Sequence, residues 1–503
     1  SAVPPLETLA RRGSPPARVH ALWSLRGLQA LTDRAIVIAL GDPHPGVREN
    51  AIRLAEARLE ASGEVREKIM DLVSDPSPRV RLQVAFTIGE SRRWNQAALL
   101  ARIARENPDD TWIQSAVISS ASEVAAEVLA SVATAPGEGK GDRAGDFARR
   151  LAVVVGFQND PARVARAIGT MVTLPDAGRA LRLLDGLGEG LRLAGTTLAA
   201  ADPGGRAAGL LRRARTAAVD ASLPEPSRRA AVEVLGLLPY GEAAPAVVGL
   251  LAGGQPASLQ QAAIGVLRAF PEPEVGATLV ARFAMLAPPV RTRAIDALLE
   301  RPERIEVLLR AIQRGAIPRA ELSAAQGAAL RRHGDPRVQE LTTEVLGATN
   351  PAKRMDVQRA YLPALDLAGA ADRGKSLFES RCAVCHRHAG VGLPFGPDLG
   401  GGASGGKERL LASIVDPNRE VAPEFFLHAV DLKDGGTVAG IVKNETGTTL
   451  TLLQVGGVER TIARASIARR HTQRQSLMPE GLEGGLNLQD MADLIEFIAN
   501  PGR

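Results

Sequence analysis

The sequence predicts a mostly α protein: a long α-solenoid of paired helices, then a small helical domain interrupted by an inserted small antiparallel β-sheet. Three observations predict it. A proline-led turn recurs about every 33 residues through the first 350 positions. Segment 487–499 carries the apolar period of an amphipathic helix, with Leu488, Met491, Leu494, Ile495 and Ile498 on one face. Between the two, at about 424–468, β-branched residues alternate with polar ones and glycine pairs punctuate them.

The repeats come first in the chain. Asp42-Pro43-His44-Pro45-Gly46-Val47-Arg48 returns as Asp75-Pro76-Ser77-Pro78-Arg79-Val80-Arg81, and Asn107-Pro108-Asp109-Asp110 follows. After a blurred stretch, Pro226-Ser227-Arg228, Pro256-Ala257-Ser258 and Pro289-Val290-Arg291 resume the spacing. Asp-Pro opens a turn and presents a helix N-terminus, and Val-Arg then begins the buried face of the second helix. A helix–turn–helix unit at this period reads as HEAT-like repeats over 1–350. An unrelated bundle of proline-started helices is the alternative. Between 134 and 226 irregular repeats are expected, with loops at 135–145 and 204–209. The arginines read as solvated helix faces. No paired carboxylates or Ser/His sets occur here, and 205–209 lacks the Lys-Ser/Thr of a phosphate loop. Such an array offers a protein-binding surface.

Segment 351–370 reads as a helical linker to a third region, 371–503, which holds both cysteines of the chain. Cys382, Ala383, Val384, Cys385 and His386 spell C-x-x-C-H, the signature of covalent haem c attachment. Two thiols at this spacing can each form a thioether to a vinyl group, with the adjacent imidazole beneath the iron. Zinc would need a second ligand pair, a redox dithiol a βαβ setting, and a disulfide across so short a loop stabilises little.

A second axial ligand is then required. Met478, in Ser-Leu-Met-Pro, offers a soft thioether, and a His/Met pair raises the reduction potential relative to two imidazoles. His388 and His471 are the rivals: His388 lies too close to His386 to reach across the ring, and His471 sits in a basic, strand-like run of the kind found at solvated edges. Met491 reads as core, and Met355 precedes the domain. The Gly396-Pro397-Asp398-Leu399 loop could set the Pro397 carbonyl against the far imidazole nitrogen of His386, or be an ordinary turn. Four strands are expected at 424–432, 437–445, 448–455 and 458–467, separated by Asp434-Gly435-Gly436, Thr446-Gly447 and Gly456-Gly457. They lie between a helix at 407–415, stopped by Asp416-Pro417, and the methionine loop. The sheet could shield the haem edge or dock a partner.

Residues 371–503 resemble a class I cytochrome c domain. The two-part chain resembles the haem-binding C-x-x-C-H proteins of the Planctomycetes–Verrucomicrobia group, in which helical repeats precede a C-terminal cytochrome domain. The matching stretches are Arg373-Gly374 with Phe378, Cys382 to His386, Gly396 to Leu399, Asp416-Pro417, Asp434-Gly435, Met478-Pro479 and Asp493-Leu494-Ile495. The resemblance implies one covalent haem, held by Cys382 and Cys385 and ligated by His386 and Met478. It also implies that the first and last helices cross at a glycine against an aromatic, with Gly374 and Phe497 as the pair. Fuller members carry a dehydrogenase-like propeller, which nothing here matches.

The net charge of +5 lies outside 371–503, where 15 Lys/Arg meet 16 Asp/Glu. Spread over the repeats, it does not make the clustered basic face of a nucleic-acid binder. No run of 18 apolar residues could span a membrane. Ser1-Ala2-Val3-Pro4-Pro5 lacks the pattern of a signal peptide, and haem of this type is attached outside the cytoplasm. The chain is therefore expected to be a mature or truncated piece of a periplasmic or otherwise extracytoplasmic protein. The expected function is electron transfer with a redox partner protein held by the repeats, without catalytic activity of its own. The alternatives are the electron-accepting part of a larger exported dehydrogenase and a scaffold that haem merely stabilises.

Overall fold

The computed structural model describes residues 2–134, 143–322, 324–331, 333–347, 354–399, 405–454, 457–473, 476, 478 and 480–500. They form two compact units, 1–238 and 239–503.

The first unit is built of helix pairs. Pro45 and Pro78 occupy the first turns of helices Pro45–Ala55 and Pro78–Ile88, where a missing N–H goes unnoticed. Helices Pro15–Gly27, Pro45–Ala55, Pro78–Ile88 and Thr111–Ser120 stack one on the next. A ladder of polar bonds joins their turns. Arg18 meets Asp42 at 2.8 Å, Arg48 grips Asp75 through bonds of 2.8 and 2.7 Å, and Arg81 reaches Asn107 at 2.9 Å. Arg48 also donates to the carbonyls of Asp42 and Pro43. Each arginine thus holds the turn of the following repeat. Removing Asp75 would strand a buried guanidinium, since Arg48 is only 9% exposed. We expect Asp75→Ala to lower stability in urea by about 3–5 kcal/mol. Asp109→Ala, which breaks the solvated Arg143–Asp109 pair, should stay within about 1 kcal/mol of wild type.

The irregular stretch expected between 134 and 226 contains a tight helix crossing. Helices Arg143–Gln158 and Ala177–Leu193 meet at glycines: a Cβ on Gly190 would lie 2.1 Å from the Val153 carbonyl oxygen, and one on Gly156 2.2 Å from that of Leu187. Of the loop expected at 135–145, residues 135–142 lie outside the described residues, and Gly145 is helical. The loop expected at 204–209 ends early. The Asp202 carboxylate accepts the Ala207 N–H at 2.8 Å, and helix Ala208–Val219 starts there, taking in Gly209.

In the second unit, helices Tyr240–Gly249 through Pro336–Leu346 continue the repeats. The arginines are not all solvated. Arg301 and Arg304 are buried, and Arg304 donates to the carbonyls of Arg268 and Phe270. Helix Arg354–Tyr361 and the 3-10 turn Leu362–Asp366 follow; residues 351–353 of the expected linker lie outside the described residues. Ala364, with Val357, Tyr361 and Leu365, packs into one core with Phe378, Leu411, Leu486, Met491 and Phe497.

Helix Leu488–Ala499 starts as its sequence implies. The Asn487 side chain accepts the Asp490 N–H, and Asp490 returns the bond to the Asn487 N–H. It crosses helix Ala371–Arg381 at Gly374, where an added Cβ would lie 2.0 Å from the Asp493 carbonyl oxygen and 2.8 Å from the Phe497 Cβ. The expected glycine–aromatic crossing is present. Asp493, buried beside it, accepts from the Ala370 N–H and from Nε and Nη2 of Arg373 at 2.6 and 3.0 Å. Burial pushes its carboxyl up, but the bonds from Arg373, Ala370 and Gln489 outweigh this and hold it below the usual range.

The insertion has five strands rather than four: β1 (Leu427–Leu432), β2 (Thr437–Glu445), β3 (Thr449–Gln454), β4 (Val458–Ala463) and β5 (Ile467–Gln473), in the order β4-β3-β2-β1-β5. The run expected at 458–467 breaks at the 3-10 turn Arg464–Ser466, and the chain then crosses to pair with β1. Gly456 lies outside the described residues; Gly457 follows at φ 78°. Val430, Val438, Leu450, Leu452 and Ile462 form the sheet's own core. Its β1–β2 turn docks on the end of a repeat. Arg301 donates to the Asp434 carbonyl at 2.8 Å and carboxylate at 2.9 Å, the Thr437 N–H donates to the Glu300 carbonyl, and Glu300 receives Arg460 at 2.7 Å.

Candidate haem-attachment site

The C-x-x-C-H segment directly follows helix Ala371–Arg381. The N–H groups of Cys385 and His386 both donate to the Cys382 carbonyl, at 3.0 and 2.9 Å, turning the chain tightly so that both thiols leave one short bend. The thiols are free and half-buried, and burial pushes Cys382 up to about 11 and raises Cys385 as well. Among the described residues no cluster of three or more His, Cys, Asp or Glu is placed to hold a metal ion, so the thiols lack the further ligands of a four-coordinate zinc site. Val384, between the two cysteines, and Leu393, whose N–H donates to the Ala383 carbonyl, are 51% and 43% exposed, and apolar side chains left in the open at this bend suit a porphyrin.

The chain after His386 folds back under it. Leu393 N–H donates to the Ala383 carbonyl, Phe395 and Gly396 N–H to that of Cys385, and Leu399 N–H to that of Arg387. Two glycines make this possible. Gly392, at φ 92°, has no room for a Cβ, which would lie 2.1 Å from the His386 carbonyl oxygen. Gly396 lies against the imidazole itself, where a Cβ would come 2.7 Å from His386 Cε1. The next residue supplies the polar contact: His386 Nδ1 lies 2.9 Å from the Pro397 carbonyl oxygen. A carbonyl can only accept, so the proton is on Nδ1 and the lone pair on Nε2. Burial lowers the imidazole pKa, and the Pro397 bond offsets this only in part. The neutral form, the one that ligates iron, is favoured.

The two rival histidines are occupied elsewhere. His388 is 1% exposed, its Nε2–H donating to the Phe497 carbonyl at 3.1 Å, with its ring edge-on to Phe378 and Phe497. His471 stands on edge strand β5, 3.5 Å from Asp431. Met491 is core and Met355 exposed.

Met478 is half-buried in the loop that precedes the last helix, and its N–H donates to Ser476 Oγ at 3.0 Å. Leu477 and Pro479 lie outside the described residues. Asn418, two residues beyond Asp416, holds the loop on both sides of the methionine. Its Oδ1 accepts the Ser476 N–H at 3.0 Å, and its Nδ2 donates to Glu480 at 2.8 Å. Gly392, Asn418 and Tyr361 shape the site without belonging to any of its sequence motifs. Only Tyr361 left a signal, as one of two tyrosines in an aromatic-poor chain, just ahead of the domain. Gly457, just ahead of β4, comes close to the segment after His386: a Cβ there would lie 4.0 Å from Leu393 Cδ1.

Residues 32–122 match the family model of HEAT repeats, and residues 371–425 match that of cytochrome c. The chain therefore carries HEAT repeats followed by a cytochrome c domain, in the order expected. No curated protein matches the chain. Among solved structures, a mutant of Kap121p is 11% identical, with 71% of this chain and 44% of that one covered at a TM-score of 0.46. Kap121p bound to Nup53p is 13% identical, covering 83% and 48% at a TM-score of 0.43. The chain spans about half the length of these structures or less. An engineered protein is 14% identical, covering 69% and 98% at a TM-score of 0.29.

Proposed function

We propose that this protein is a one-haem c-type cytochrome that exchanges single electrons with a protein partner held by its HEAT repeats. The carrying observation is the His386 ring, whose Nδ1–H is committed to the Pro397 carbonyl while, among the described residues, Nε2 has no hydrogen-bond partner and the two cysteines of the same motif are free. Cys382 and Cys385 would hold the haem by thioethers, and His386 and Met478 would fill its axial positions. When bound, the haem supplies a one-electron couple. The protein's own part is to fix the imidazole, present apolar walls at Val384 and Leu393, and hold the methionine loop through Asn418. If His386 and Met478 both held the haem, no coordination site would be left for a substrate, which favours a carrier over a catalyst. Thioether haem attachment carries a compartment with it: outside the cytoplasm.

The decisive measurement is a redox titration with optical spectra on haem-loaded protein. We expect Met478→Ala to lose the sulfur-to-iron charge-transfer band and to lower the midpoint potential, since thioether ligation favours the reduced iron. An unchanged spectrum in that variant removes Met478 from the site. Rapid carbon monoxide binding by the unmutated protein would point to an open iron and to enzymatic chemistry. The second reading, an electron-accepting part of a larger exported dehydrogenase, predicts substrate-dependent haem reduction once that catalytic partner is supplied.

A further inference from the structure

Resting on the His386/Met478 reading above, we infer that Tyr361 and Arg354, which lie ahead of the cytochrome segment in the chain, are positioning residues for the methionine loop. Among its described residues that loop, 476–487, has no helix or strand of its own, and it contains Gly481 and Gly485 at φ 91° and 80°. It is held from outside. The Tyr361 hydroxyl lies 2.6 Å from the Leu486 carbonyl oxygen and 3.1 Å from that of Glu483. Arg354 donates to the buried Glu483 carboxylate at 2.8 Å and to the Val415 carbonyl at 3.2 Å, at the end of helix Gly406–Val415. Arg381, at the end of the helix leading into the cysteines, donates to the Leu482 and Gly484 carbonyls at 2.9 and 2.8 Å. Asn418 completes the brace nearer the methionine.

The physical consequence concerns ligand strength. A thioether is a neutral, weak ligand, so its bound fraction depends on how much conformational entropy the loop loses by presenting it. Arg381 and Asn418 belong to the cytochrome domain and brace the loop from within it. Tyr361 and Arg354 lie on the helix that precedes the cytochrome segment in sequence and packs into the same core. They make that helix part of the methionine loop's support, 117 and 124 residues ahead of Met478.

The test uses the full haem-loaded chain in its ferric form, with cyanide as the competing ligand. Tyr361→Phe removes one hydroxyl and leaves the ring in the core. We expect cyanide to displace the methionine about fivefold faster, the size of one lost hydrogen bond. The sulfur-to-iron band should weaken, with haem content and far-UV dichroism unchanged. Arg354→Met cuts a different arm of the brace and serves where Tyr361→Phe fails to fold; it should accelerate displacement at least as much. Wild-type rates and bands in both variants, with Met478→Ala still losing the band, overturn the brace alone. A wild-type rate and band in Met478→Ala overturn the ligand reading, and the brace with it.

Discussion

Replacing Cys382 and Cys385 together with alanine should yield a chain from which all haem dissociates on denaturation, with an intact mass equal to the bare polypeptide. These are the only two cysteines present, so no third thiol can substitute. The tight bend at the Cys382 carbonyl gathers both cysteines and His386 into one turn, and a bond from His386 alone would not survive unfolding. Each single variant should retain haem through one thioether, with a shifted pyridine haemochrome band. The doubly substituted chain should show none after acid–acetone extraction. Covalent haem persisting there would mean attachment through some other residue.

Gly374→Ala should destabilise the haem domain by about 3 kcal/mol, at the upper end of what overpacking costs. The added methyl would lie 2.0 Å from the Asp493 carbonyl oxygen, a backbone atom that no rotamer change can move. The two helices must separate, and the bonds from Arg373 and Ala370 to Asp493 separate with them. Gly265, in helix Ala257–Ala269, meets nothing within 4 Å, so alanine there should stabilise by up to about 1 kcal/mol through helix propensity. Thermal melts of both variants, followed by helical dichroism and haem absorbance, separate packing from propensity.

What could be read from the sequence was local. C-x-x-C-H, the apolar period over 487–499, the glycine turn at Asp434-Gly435 and the Asp-Pro starts of the repeats each act within a few residues, and each has a compositional mark. Contacts made across the chain left no such mark. The Arg48–Asp75 rung spans 27 residues, and both of its ends look like ordinary surface charge in sequence. The split of the fourth expected strand depends on β1 offering an edge to β5, a tertiary fact. Tyr361 reads as one residue of a connecting helix because its hydroxyl partners lie 122 and 125 positions away. Glycine density carried the expected loop two residues too far at 204–209, where the helix starting at Ala208 takes in Gly209.

The docking of the β1–β2 turn on Glu300 and Arg301 bears on how this chain can be divided. A cut near position 350 looks natural by composition, yet it would sever Asp434, Thr437 and Arg460 from the partners that satisfy them. The liberated fragment would display unpaired charge and an unanswered amide along one rim. The cytochrome and repeat portions have grown into a single heritable piece, and shuffling one without the other would require rebuilding that rim.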